Sequence, residues 1–298
     1  MMALKTPSGT RGRLLRDEPM SRYTSWRVGG PADTLYIPAD LADLAAFLQR
    51  LPADEPLYWV GLGSNLLVRD GGVRGTVVLT HGALNGLARL DDVRVRAEAG
   101  VPGAKVARFC TGHGLAGAEF LAGIPGTVGG ALAMNAGAFG GETWNIVHAV
   151  ETLDRQGELR VRLASDYDVG YRRVHGPADE WFVAAHFRLL HDERKQGKGL
   201  IKSLLAKRGA TQPTQLPNAG SVFKNPPNDH AARLIEAAGL KGACEGEACV
   251  STLHANFIVN RGRATAADIA RLIARVRATV AERFGVQLDT EVRVIGEE

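Results

Sequence analysis

Apolar positions along the chain recur at two spacings, and each spacing predicts a different element. Leu35-Tyr36-Ile37 is a short apolar run closed by Pro38, which reads as a strand, while Leu41, Leu44, Ala45 and Leu48 share one face of a helix capped by Asp40. Runs rich in β-branched residues predict strands at Leu57 to Val60, Thr76 to Thr80 and Val93 to Ala99. A helix follows from about Pro102 to Gly114, with Val106 and Phe109 inward. Val147 to Asp154 and Glu158 to Leu163 form a predicted hairpin about Arg155-Gln156-Gly157, and Trp181 to Leu190 is a further strand. Later in the chain a helix runs from about Asp229 to Gly239, and a strand covers Asn256 to Asn260. Ile269, Leu272, Ile273, Val276, Val280 and Phe284 then align on one face of a long helix opened by Thr265. In the last strand Val292 and Val294 share one side, and Asp289, Glu291 and Arg293 the other. The mixture is an α+β fold.

Residues 1 to about 20 are polar and predict a loose tail. With 298 residues the chain accommodates two domains, and the composition shift at His191-Asp192-Glu193-Arg194 marks the boundary between them. The net charge of +4 suits anionic small ligands without demanding nucleic acid. Arg194, Lys195, Lys198, Lys202, Lys207 and Arg208 form a basic run, but no aromatics interleave it, and Leu200, Ile201, Leu204 and Leu205 supply a stripe to bury. It reads as a solvated helix face. Three cysteines are too few for a disulfide framework and predict a reducing, cytoplasmic setting. Cys244, Cys249 and His254 match no common zinc spacing, so no metal is expected, and His254 is expected to be a satisfied core histidine. No long apolar run predicts a leader or a membrane span.

Three blocks carry candidate chemistry. Pro217-Asn218-Ala219-Gly220-Ser221-Val222-Phe223-Lys224-Asn225-Pro226 combines small residues that allow close backbone approach with a hydroxyl and a cation. Pro226 is expected to stop a strand and open the helix after it. Two glycine-rich stretches have the composition of phosphate cradles: Tyr58-Trp59-Val60-Gly61-Leu62-Gly63-Ser64-Asn65-Leu66, and the run from Leu121 to Ala138 containing Gly123-Ile124-Pro125-Gly126-Thr127-Val128-Gly129-Gly130 and Asn135-Ala136-Gly137. Neither holds a clean Gly-x-Gly-x-x-Gly dinucleotide fingerprint. In Gly170-Tyr171-Arg172 an aromatic ring stands beside a guanidinium able to clamp a carboxylate.

In this order and spacing the blocks resemble the UDP-N-acetylenolpyruvoylglucosamine reductase family of flavoenzymes. The likeness begins at Thr24-Ser25-Trp26-Arg27-Val28-Gly29-Gly30 and runs through Gln212-Pro213 and His254-Ala255-Asn256 to the closing Glu291. It implies an FAD-binding domain of the vanillyl-alcohol-oxidase type over residues 21–191, with subdomains at about 21–85 and 86–191, and a C-terminal α+β substrate-binding domain over 192–298. FAD would be held noncovalently by Trp59, Gly61, Gly63, Ser64, Asn65 and Leu66 from the first block. From the second would come Gly123, Ile124, Pro125, Thr127, Gly129, Gly130, Ala136 and Gly137. The family's reaction reduces the enolpyruvyl ether of UDP-N-acetylglucosamine to UDP-N-acetylmuramate, with NADPH as hydride donor. By position, Ser221 would be the proton donor, with Arg172 and Glu291 stabilising the developing enolate. Tyr171, Lys224 and Asn225 would bind substrate. Leu62 and the pair Arg173-Val174 depart from the commoner family pattern, and the chain resembles the shorter subclass that lacks a tyrosine-bearing insert. The alternatives are a flavin-dependent oxidase of the same fold acting on an alcohol or sugar, and a non-catalytic flavin-binding module.

Overall fold

The computed structural model describes residues 9–298. Residues 1–8, the beginning of the expected tail, lie outside the described residues. Arg13–Pro19 corrects that expectation, because it is a strand with Leu14 and Leu15 buried. Its apolar pair is masked in the sequence by flanking arginines and acids. The chain divides into two compact units that interleave in sequence. The first comprises residues 1–16, 34–62 and 75–207, and the second residues 17–33, 63–74 and 208–298.

In the first unit, Leu57–Val60 pairs in parallel with the strand Val73–Leu79, as residues 57↔76 through 60↔79. The helix Leu41–Leu48 is capped as predicted, with Asp40 accepting from the Asp43 amide, and buries Leu44, Phe47 and Leu48. A five-stranded antiparallel sheet follows in the order 159–163, 147–154, 180–188, 94–98, 87–89. Its best-buried strand is Val147–Asp154, which matches the predicted range residue for residue. The helices Gly103–Gly112 and Val128–Met134 contribute Val106, Cys110, Val128 and Leu132 to a core shared with Val150, Ala185 and Phe187.

The basic helix spans Gly197–Thr211. Ile201 is buried but Leu200 is exposed, so the predicted apolar stripe is narrower than its sequence implies. Glycines at 197, 199 and 209 leave few side chains to build a face.

In the second unit the helix Ala266–Phe284 forms the predicted buried face, from which only Phe284 turns outward. Thr265 closes a capping box with Asp268, and the two carboxylate oxygens of Asp70 accept from the Ala266 and Ala267 amides. Three orphan donors of the helix start are thereby satisfied. The three-stranded antiparallel sheet 244–245, 248–250, 258–260 lies beside it. The last strand is Arg293–Ile295, paired in parallel with Leu66–Val68. Val292 is buried and Val294 exposed, so the two do not share a buried face.

Cys244 and Cys249 face each other across the hairpin and form a disulfide, with Cα atoms 4.1 Å apart. Cysteine number alone predicts reduced thiols, yet a spacing of five across a tight turn is one that brings two strand residues opposite. Cys110 is free and buried, and burial pushes its thiol pKa up to about 12. No helix among the described residues is long and apolar enough to cross a membrane.

One buried ion cluster stabilises the five-stranded sheet. Arg96 donates to both oxygens of Glu151 at 2.7 and 2.6 Å, and His186 Nε2 lies 2.6 Å from the same carboxylate. Burial raises the Glu151 pKa, but the hydrogen bonds from Arg96 and His186 outweigh it and hold the pKa below the usual 4.5. A carboxylate depressed in the folded state contributes stability above its unfolded pKa and loses it as pH falls through the folded value. Wild-type protein should therefore lose urea stability as pH is lowered below about 4.5, and Glu151→Gln should start less stable and show a shallower acid limb. Equal slopes for the two proteins would contradict this linkage.

Candidate active site

Chain geometry in the second unit gathers the Ser221 block against the segment 289–292, so Glu291 lies before the last strand and not within it as its alternation predicts. The block is extended but makes only isolated bridges, Asn218↔Val259 and Phe223↔Thr290. Val222 and Phe223 are buried anchors, which leaves Ser221 and Lys224 partly exposed at either end. The Glu291 amide donates to the Val222 carbonyl at 2.8 Å, and the Lys224 amide to the Asp289 carbonyl at 2.9 Å. Asn65 joins the same assembly: its side chain donates to the Glu291 carbonyl at 3.1 Å, and its own carbonyl accepts from the Arg293 amide at 3.0 Å. The first glycine block thus delivers Asn65 to the Glu291 segment rather than presenting it only as a cofactor contact.

Asn256, absent from the sequence candidates, fixes this arrangement. Its Oδ1 accepts from the Phe223 amide at 3.0 Å, its Nδ2 donates to the Phe223 carbonyl at 2.8 Å, and its backbone carbonyl accepts from the Val222 amide at 2.9 Å. His254 organises the turn before it, with Nδ1 accepting from the Asn256 amide and the ring edge-on to Phe257 at 4.7 Å. Burial pushes the His254 pKa down, which keeps the imidazole neutral.

Pro226 does not open the following helix, which begins at Ala231. Asn225 Oδ1 instead accepts from the Ala231 amide at 3.1 Å. Arg208, expected on a solvated helix face, is half-buried instead. Burial alone lowers its pKa, and its guanidinium is bonded to Gln212 at 3.3 Å with no carboxylate paired to it among the described residues.

Glycine is required twice in the first block. A Cβ on Gly63, whose φ is +67°, would lie 2.0 Å from the Tyr23 carbonyl oxygen. A Cβ on Gly61 would lie 2.3 Å from Thr127 Oγ1. The second contact belongs to the first unit and joins the two glycine blocks there. Thr127 Oγ1 is buried with no hydrogen-bond partner, a costly state for a hydroxyl unless a bound group completes it. An orphaned donor over a side-chain-free backbone fits a phosphate or ribityl oxygen, so these residues fit FAD.

The rest of the second block is more committed than its composition implies. Gly129 donates its amide to the Ala99 carbonyl, and Ala136 bonds Ala131 and Thr143 through its own amide and carbonyl. Gly123 lies under the Phe139 ring, where a Cβ would approach to 2.4 Å, while Gly130 has room around it. Ile124 packs against the core and Pro125 follows it into the turn. Trp59 stacks on Trp181 at 5.3 Å, and its indole nitrogen is buried without a partner. Ser64 precedes Asn65 in the second unit, and Leu66 pairs with Arg293.

Tyr171 and Arg172 form the turn between the short strands 168–170 and 173–175, with Arg172 at a φ of +53°. That left-handed backbone is uncommon for a residue with a side chain and marks a held conformation. The guanidinium donates to the Asn135 carbonyl at 3.1 Å and the Gly137 carbonyl at 3.2 Å, and sits 4.9 Å from the Tyr171 ring centre. Asn135 is buried, caps the helix end at a φ of +41°, and donates to Glu142 and to the Gly170 carbonyl. It positions both sides of the Arg172 turn.

Residues 32–162 match the FAD binding domain family, a range that holds Gly61, Thr127 and Gly137. Fold and site thus define an FAD-binding flavoprotein. Residues 212–295, which include the Ser221 block, Asn256 and Glu291, match the C-terminal domain of UDP-N-acetylenolpyruvoylglucosamine reductase. The UDP-N-acetylenolpyruvoylglucosamine reductase of Alkalilimnicola ehrlichii is 62% identical over 286 residues, 96% of each chain. That of Methylococcus capsulatus is 59% identical over 295 residues, 99% of this chain and 97% of its own. The crystal structure of the Thermus caldophilus reductase superposes with a TM-score of 0.79 at 32% identity, covering 95% of this chain and 98% of that one. The chain belongs to the UDP-N-acetylenolpyruvoylglucosamine reductase family.

Asn256→Ala would leave the buried N–H and C=O of Phe223 without their side-chain partner. An unsatisfied buried group costs about 1–3 kcal/mol. Urea denaturation of this variant should show a loss in that range, and an unchanged midpoint would contradict the role given to Asn256.

Proposed function

We infer that this protein reduces the enolpyruvyl ether of UDP-N-acetylglucosamine to UDP-N-acetylmuramate, a peptidoglycan precursor, using NADPH and noncovalently bound FAD. The observation that carries this reading is the main-chain union of the Ser221 block with the segment holding Asp289 and Glu291, inside the range matched by the reductase's C-terminal domain. When bound, FAD supplies hydride-transfer chemistry between NADPH and the enolpyruvyl group. Gly61, Gly63, Ser64, Asn65, Gly123, Thr127, Gly130 and Gly137 would hold it.

The chain's own residues then manage charge and a proton. Adding hydride to the methylene carbon leaves negative charge on the neighbouring carbon and its carboxylate. Arg172, fixed on two carbonyl oxygens by its turn, meets that charge without reorganising. Glu291 is the second group assigned to the charge at the substrate carboxylate. Ser221 gives its hydroxyl proton to the carbanion, which is basic enough for a weak acid to serve. Lys224 binds substrate phosphate, Tyr171 packs on the substrate, and Asn225 orients the block through its hold on Ala231. The division of labour is FAD binding by residues 21–191 and substrate binding by 192–298, in a cytoplasmic enzyme that takes small anionic ligands rather than nucleic acid.

A positioned general acid contributes roughly 10²–10⁴-fold. Ser221→Ala should therefore leave the rate of flavin reduction by NADPH intact and slow reoxidation by the enolpyruvyl substrate by a factor in that range. Stopped-flow measurement of the two half-reactions checks this, and an equal loss in both would remove Ser221 from the role.

A further inference from the structure

Residues Leu159–Leu163 form an outer strand of the five-stranded sheet, and among the described residues no strand pairs with its outward side. Edge strands are ordinarily blunted by outward charge, proline or a bulge. Here the alternation runs the other way. Leu159, Val161 and Leu163 share one face and are 51%, 63% and 53% exposed. Arg160 and Arg162 occupy the opposite face and are neutralised within the chain, Arg160 by Asp154 at 3.1 Å and Glu158 at 2.8 Å, and Arg162 by Glu180.

Two details define what this edge accepts. The Leu163 amide donates to Asp166 Oδ2 at 3.0 Å instead of to its ladder partner Ala149. That places Leu163 at a non-hydrogen-bonded position of the ladder and, by alternation, turns the N–H and C=O groups of Leu159 and Val161 outward. The second detail is the sequence, Leu159-Arg160-Val161-Arg162-Leu163, which reads the same in both directions.

We propose that this edge pairs antiparallel with its own copy in a second molecule, about a two-fold axis at Val161, to join two five-stranded sheets into one. Antiparallel pairing of a palindromic strand sets Val161 against Val161 and Leu159 against Leu163, so the two apolar stripes meet side by side on one face of the joined sheet. An isologous contact requires this self-complementarity. The arginines meet across the axis with their charges already matched by Asp154, Glu158 and Glu180, so the pairing carries little like-charge repulsion. A single five-residue strand falls below the roughly 1,200 Å² of stable interfaces, so the dimer is weak and forms at high concentration.

Cysteine cross-linking reads the register. In a hydrogen-bonded antiparallel pair, facing Cα atoms lie about 5.5 Å apart, within disulfide range. Val161→Cys should be oxidised to a covalent dimer at least about ten times faster than Leu159→Cys, whose own copy lies four residues away along the partner strand. Leu159→Cys/Leu163→Cys should regain the fast rate. Native cysteines stay silent, since Cys110 is buried and the other two are paired. Sedimentation of the unmodified protein up to about 0.5 mM should show a rising dimer fraction, and Val161→Lys should abolish it without changing flavin reduction or thermal midpoint. Equal oxidation rates for the two single variants, a monomer across the whole range, or a Val161→Lys protein that still dimerises would each overturn the proposal.

Discussion

The side-chain amide of Asn256 bonds both main-chain groups of Phe223, and the geometry of the Ser221 block rests on that pairing. The block from Pro217 to Pro226 belongs to no regular ladder, so nothing repetitive fixes its register. Asn256 substitutes for a missing strand by offering an acceptor and a donor at the spacing of a peptide group. Its own carbonyl then takes the Val222 amide, and the opposite side of the block is closed by the Glu291 and Lys224 amides. With Val222 and Phe223 locked inward, the hydroxyl of Ser221 and the ammonium of Lys224 are directed by exclusion. Such local rigidity is what a general acid needs, because proton transfer tolerates little displacement.

The first unit uses the same device around Arg172. Asn135 sits in a left-handed helix cap and ties Glu142, Gly170 and Trp144 together, and the turn it secures carries Arg172. The guanidinium is then seated on two backbone carbonyls. Both asparagines act through the backbone of another residue, and both are nearly inaccessible to solvent. Thr127 differs because its hydroxyl is left unmatched over Gly61, an unfavourable state that a bound polar group would relieve.

Where a segment's fate depends on its own periodicity, the sequence is a sufficient guide. The strands Leu57–Val60 and Val147–Asp154, the Asp40 cap and the Thr265 box all follow from local pattern. Elements decided by distant partners are not legible in the same way. The strand Arg13–Pro19 has too few apolar residues to announce itself, and the helix after Pro226 begins only at Ala231, whose amide donates to the Asn225 side chain further back in the chain. Val294 follows the alternation of a half-buried strand and is nonetheless exposed. The Ser221 block, Arg172 and Glu291 are candidates chiefly because their order and spacing resemble the family pattern. Asn256, Asn135 and Arg208 are not, since an asparagine bonded to a backbone or a half-buried arginine has no signature short of the fold. The facing cysteines 244 and 249 are a middle case, visible once the hairpin between them is known.

Holding flavin reduction and flavin reoxidation in one protein is the central claim, and an anaerobic spectral titration tests it most directly. Purified protein should show the visible absorption of oxidised flavin, lose it on stoichiometric NADPH, and recover it when the enolpyruvyl ether of UDP-N-acetylglucosamine is added, with UDP-N-acetylmuramate formed in equal amount. Bleaching by NADPH without recovery on adding that substrate would contradict the account.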